Sequence, residues 1–161
     1  MYIDKWWGDY IGGSDDALSL LDYLEQAEET ELSLGDVLRE LGFEELLRDG
    51  DLKSGGAIGF ASRSEDGAFR QDIQIACSAF IDLAAIVLES QRSGSVDLQD
   101  LDPDRPSRKL QIRLTEADRQ LLRSELLQFA AAPADYELAD YIDEADLTQL
   151  VAQVQEIAEQ L

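Results

Sequence analysis

The stretch from residue 68 to about 92 limits the fold more than any other part of the chain. Phe69, Ile73, Cys77, Phe80, Ala84, Val87 and Leu88 keep helical spacing, and Ile75, Ala79, Ile81 and Ile86 widen the apolar stripe to most of the circumference. A helix apolar on so many sides has no face to give to water, so other elements must surround it. The run 73–88 is interrupted by Gln74, Ser78 and Asp82 and falls short of the roughly 20 residues that cross a bilayer. The helix is therefore predicted to lie at the centre of a soluble core, with Cys77 and Phe80 inside.

The rest of the chain supplies amphipathic pieces to cover that helix. Ser14 precedes Asp15 and Asp16, and Leu18, Leu21 and Leu24 recur at helical spacing, which predicts a capped helix over 15–28. Ser33 is a second cap, for a short helix over 36–41 that stops at Gly42, and a further turn is expected over 43–48. Turn formers fill 49–56, and 57–62 reads as a short strand or extended lead. Two half-buried strands are expected at 96–101 and 109–114, joined by a hairpin loop at 102–106. Thr115 to Asp118 has the form of a capping box and opens a helix through Leu121, Leu122, Leu126 and Phe129, ended by 130–133. A last helix is expected over 146–160. These pieces predict an α+β fold, predominantly helical, with about five helices around one apolar central helix and a small antiparallel hairpin or sheet. No internal repeat or linker divides the chain, and residues 1–161 are expected to form a single acidic globular domain.

Charge narrows the partners. The chain has 35 acidic and 13 basic residues, a net charge of −22, yet 45% of it is apolar, which separates it from disordered acidic chains. Residues 1–52 carry 15 acids and 3 bases, and residues 135–161 carry 8 acids and no base. Such a field draws in cationic partners and repels nucleic acid and anionic membranes, so direct binding to either is not expected. Solubility alone would also account for acidity, so charge by itself assigns no role. The lone Cys77 cannot form an internal disulfide and no export signal follows Met1, which together predict a cytoplasmic protein.

The inventory of reactive side chains is thin. Histidine is absent, which removes the usual serine and cysteine triads, most zinc sites and imidazole acid–base catalysis. Asp49-Gly50-Asp51 begins like a calcium loop, but Phe60 stands where a bidentate Glu is required. Ser54-Gly55-Gly56-Ala57-Ile58-Gly59 lacks the Lys-Ser/Thr ending of a phosphate cradle and reads as a turn at a strand entry. No catalytic residue, metal ligand or cofactor is expected.

Two segments read as contact surfaces. Residues 135–144 combine Tyr136 and Tyr141 with five acids and no base. There the tyrosines could supply buried contact area while Asp140, Asp143 and Glu144 meet arginine or lysine on a partner. The aromatic cluster containing Trp6, Trp7 and Asp9 is the second choice, although aromatics of this kind more often pack on their own core.

The opening Tyr2-Ile3-Asp4-Lys5-Trp6-Trp7-Gly8-Asp9-Tyr10-Ile11-Gly12-Gly13-Ser14-Asp15-Asp16, leading into an amphipathic helix, resembles the start of bacterial immunity proteins of polymorphic toxin and contact-dependent growth inhibition systems. The resemblance covers about thirty residues. It implies a protein that binds and neutralises a cognate toxin domain, and it implies no particular topology or contact residues; the chain's acidity makes a nuclease or another basic toxin the expected target. A carboxylate-based metal-dependent hydrolase and an acidic adaptor or regulator without a toxin partner are the other two readings.

Overall fold

The computed structural model describes residues 1–54, 58–64 and 67–161. The chain opens with a 3-10 turn, Tyr2–Lys5, followed by the short strands β1 (Trp7–Asp9) and β2 (Ile11–Gly12). Helix α1 (Asp15–Gln26), strand β3 (Glu31–Ser33) and helices α2 (Leu34–Leu41) and α3 (Phe43–Asp49) come next. Strands β4 (Ile58–Ser64) and β5 (Gly67–Ile73) pair antiparallel and lead into the long helix α4 (Ala76–Ser93). Strand β6 (Val96–Asp97), the single turn α5 (Leu98–Leu101) and strand β7 (Lys109–Arg113) precede α6 (Glu116–Ala131). Two 3-10 turns, Pro133–Asp135 and Glu137–Tyr141, connect α6 to α7 (Glu144–Gln160). The fold is α+β and mostly helical.

Helix α4 is the centre, as its sequence demands. Every residue from 76 to 90 is buried, Cys77 and Phe80 among them, and α1, α7, β7 and the N-terminal 3-10 turn all pack on it. Phe43 meets Phe80 edge to face at 5.6 Å, which ties α3 to the same core. The polar residues within α4 are used as fasteners. Glu89 accepts the Ile3 N–H at 2.6 Å and Asp82 accepts the Gly12 N–H at 2.8 Å, so the first twelve residues are strapped along the helix. Ser90 Oγ accepts the Ile112 N–H at 2.8 Å and anchors β7.

Local capping explains most helix starts. Ser14 Oγ accepts from Ala17, Ser33 Oγ from Asp36, and Asp143 from Asp146, each satisfying a first-turn amide with no intrahelical partner. Thr115 and Asp118 close the reciprocal box predicted for α6, at 3.1 and 2.8 Å. Gly42, at φ 92°, ends α2 and begins α3 in the left-handed conformation that a side chain disfavours. Helix α7 starts two residues ahead of its expected position because Asp143, not a later residue, is the cap.

Three expectations are corrected. The central helix begins at Ala76, not at 68; Gly67–Ile73 is a strand whose Ile73 pairs with Ile58 and whose Gln71 pairs with Phe60. The 96–101 segment is a strand only at Val96–Asp97. The Asp97 carboxylate accepts from Gln99 N–H and starts the turn α5, while also holding Ser107 and Arg108 of the returning loop. Strand β7 pairs antiparallel with β6 as expected, but its other side takes β3 in parallel register, Leu32 opposite Ile112. Asp49 closes α3, Gly50 is its left-handed stop, and Phe60 is buried in β4, so that calcium-like run is a helix end followed by a strand. Residues 55–57 of the phosphate-cradle-like run lie outside the described residues. Among the described residues no helix is long and apolar enough to cross a membrane.

Candidate partner-binding surface

The segment 135–144 divides into an inner and an outer half. Tyr136 is only 2% exposed and stacks edge to face on Phe129 at 5.1 Å. Its hydroxyl is pushed up to about 12 by burial. It belongs to the core and is not available as a surface contact. The Glu137 N–H donates to Lys53 C=O at 2.7 Å, and Lys53 lies 3.9 Å from Asp135, so this half is docked on the chain after α3 and one of its acids is compensated.

The chain emerges after Leu138. Asp140, Tyr141, Asp143 and Glu144 are exposed, and Tyr141, at 67%, is a large ring facing solvent. Asp143 is committed in part, since its carboxylate caps α7. Asp140 precedes and Glu144 follows Tyr141 in the chain, with no base paired to either among the described side chains. A tyrosine in this position offers amphipathic contact area with few rotors to freeze, and the carboxylates beside it suit arginine or lysine.

The N-terminal aromatics serve the fold first. Trp6 is 3% exposed and donates from Nε1 to Glu156 at 3.1 Å; Trp7 is half-buried and donates to Leu101 C=O at 2.9 Å. Gly12, at φ 82°, carries no side chain because a Cβ would fall 2.3 Å from the Trp7 ring. Asp9 is exposed. Tyr10 brings the two candidate segments together, because its hydroxyl donates to Asp146 at the start of α7. That hydrogen bond, with Asp143 and Asp9 adding their charges, pushes the phenol up to about 12. Asp9, Asp143 and Asp146 thus gather around the Tyr10 hydroxyl, where the N-terminal loop meets α7.

A second acidic feature went unrecognised in the sequence. A cleft of about 560 Å³ lies where α1, β3, α2 and β4 converge, walled by Tyr23, Val37 and Phe60 and rimmed by Glu28, Glu29, Glu31, Asp36 and Glu40. The Tyr23 hydroxyl donates to Glu40 and is raised by burial and by that bond. Glu28-Glu29-Thr30-Glu31 was the available signal: an acidic run bridging a helix end and a strand. Among the described residues, no group of three or more Cys, Asp or Glu side chains is arranged to hold a metal ion.

The family model of Immunity protein 68 matches residues 2–161. The chain belongs to this family of immunity proteins. The likeness of the opening thirty or so residues therefore extends over nearly the whole chain, and with it comes a toxin-neutralising role and a toxin as partner. Comparison with curated proteins and with solved structures gives no match. In this immunity protein the opening motif is the strap on α4: Ile3, Trp6, Trp7, Tyr10, Gly12 and Asp16 all make contacts to later elements, Asp16 by accepting the Gln74 and Ile75 N–H groups at 2.8 Å each.

Proposed function

We propose that this immunity protein neutralises its toxin by binding it in the cytoplasm, without catalysis or a cofactor, and that the surface it covers on the toxin is basic. The observation that carries this reading is Tyr141, two-thirds exposed and bracketed along the chain by the exposed acids Asp140 and Glu144. Many of the chain's few bases are consumed in internal ion pairs: Lys5 with Glu156, Arg105 with Asp22, Glu25 and Asp102, Arg113 with Glu31. The acids around Tyr141 are left to act outward. A nuclease is the target class that fits best, because a channel that holds phosphates must be cationic and an acidic surface can occupy it in the substrate's place. The same field disfavours nucleic acid as a direct partner of the immunity protein.

The test is protection. Cells expressing the toxin domain paired with this chain in the producing strain should grow only when the chain is co-expressed, and an equimolar amount should suppress the purified toxin's activity. The suppression should weaken as salt is raised. A chain that fails to protect, or that itself turns over a nucleotide or glycoside with added divalent metal, would contradict the proposal.

A further inference from the structure

The cleft between α1 and α2 is a slot between the edges of two different sheets. Strand β3 is the edge of the sheet ordered β3-β7-β6, and β4 is one of the two strands of the hairpin. All three residues of β3, together with Phe60 and Ala61 of β4, line the same cleft. On the inner side of β3 the Gln111 N–H donates to Thr30 C=O at 2.8 Å. Backbone groups of successive strand residues point alternately to its two sides, so those of Glu31 are turned away from β7. An edge of this kind is a template for another strand.

The lining says what that strand should carry. Tyr23, Val37 and Phe60 form an apolar floor, and the rim is acidic. Arg39 pairs with Asp36 at 2.6 Å and Arg113 pairs with Glu31, and Arg108 donates to the Ala27 and Glu29 carbonyls, but no base is paired with the Glu28, Glu29 or Glu40 carboxylates among the described side chains. We infer that the slot takes an extended, lysine- or arginine-bearing segment of the toxin, which adds to the open edge of β3. Its alternate apolar side chains lie on Tyr23, Val37 and Phe60, and its cations meet the Glu28–Glu29 rim. Backbone pairing holds the segment, and charge selects it. The inference rests on the toxin-neutralising reading for the identity of the occupant and is independent of the turn at Tyr141.

A blocked peptide of alternating lysine and valine is the probe, titrated into the full ¹⁵N-labelled chain beside a control of equal charge that is N-methylated at alternate residues. The unmodified peptide should saturate, with amide shifts concentrated at Glu31, Leu32, Ser33, Phe60 and Ala61. The N-methylated peptide should bind at least about tenfold more weakly, because it cannot pair with an edge. Exchanging Glu28→Lys together with Glu29→Lys should weaken the unmodified peptide by a similar factor while leaving the chain's own spectrum folded. Equal affinity for the two peptides, shifts spread over Asp140 and Glu144, or no saturable binding would each overturn the slot. The titration contains no toxin, so its failure removes the slot alone, whereas failure to protect cells removes the toxin as occupant and leaves the slot's binding of a cationic strand standing.

Discussion

Asp82 sits wholly inside the core on α4, with one carboxylate oxygen on the Gly12 N–H and the other without a hydrogen-bond partner among the described residues. Burial, reinforced by Asp16 and only partly opposed by the Gly12 hydrogen bond, pushes its carboxyl up to about 8. In the unfolded chain the same group titrates near 4. The native state therefore binds a proton that the unfolded state releases across this window. The stability linked to Asp82 is complete below about pH 4 and is lost progressively as pH rises toward 8. Asp82→Asn mimics the neutral acid in shape. It should leave stability near pH 4 little changed, exceed the native chain near pH 8, and flatten the decline between them. Denaturant unfolding of both proteins at several pH values checks this, and parallel curves would show that Asp82 is ionised in the core. Cys77, one turn away, is raised chiefly by burial and is placed to be an inert packing group.

Helix α4 carries the fold, and Phe80 is its test. The ring is fully buried against Phe43, so Phe80→Ala should cost about 3 to 5 kcal/mol in denaturant unfolding. A loss under about 1 kcal/mol would mean that the ring is exposed and that α4 is wrongly placed as the core helix. The helices were legible in the sequence because each has a stripe and most have a cap: Ser14, Ser33 and the Thr115–Asp118 box are short-range signals that tertiary context did not override. The strands were less so. Phe69 and Ile73 stand four apart, which satisfies a helical period, yet with Gln71 they also form a two-residue period, and pairing with β4 decided between them. Strand β3 has three residues, too few to show any period, and owes its existence to β7. The turn α5 depends on Asp97 accepting from the Ser107 hydroxyl and the Arg108 N–H, ten and eleven residues ahead, as well as from its own helix start, pairings that no local period signals.

At the scale of the molecule, net charge and its concentration toward both ends were readable at once, and they pointed to a segment of which the outer half is exposed. What composition could not resolve was direction. Tyr136 and Tyr141 are five residues apart in the same acidic segment, but the docking of residues 135–137 on Lys53 turns the first ring inward onto Phe129 and leaves the second outside. Nor could it show that Tyr10 and Asp146, far apart in sequence, join the N-terminal loop to the start of α7, or that an acidic run lies beside β3, the outer strand of its sheet among the described residues. The exposed turn also sets which substitutions are informative. Asp143 caps α7 and is better kept, whereas Asp140, Tyr141 and Glu144 can be changed at the surface.

The most direct measurement is therefore the association and dissociation kinetics of the toxin domain with two folded variants at several salt concentrations. The double change Asp140→Lys and Glu144→Lys should slow association and reduce its dependence on salt, since charge acts on the encounter. Tyr141→Ala should leave association nearly intact and speed dissociation about tenfold, equivalent to roughly 1.4 kcal/mol. Unchanged kinetics for both variants at low salt would contradict a toxin contact at this turn.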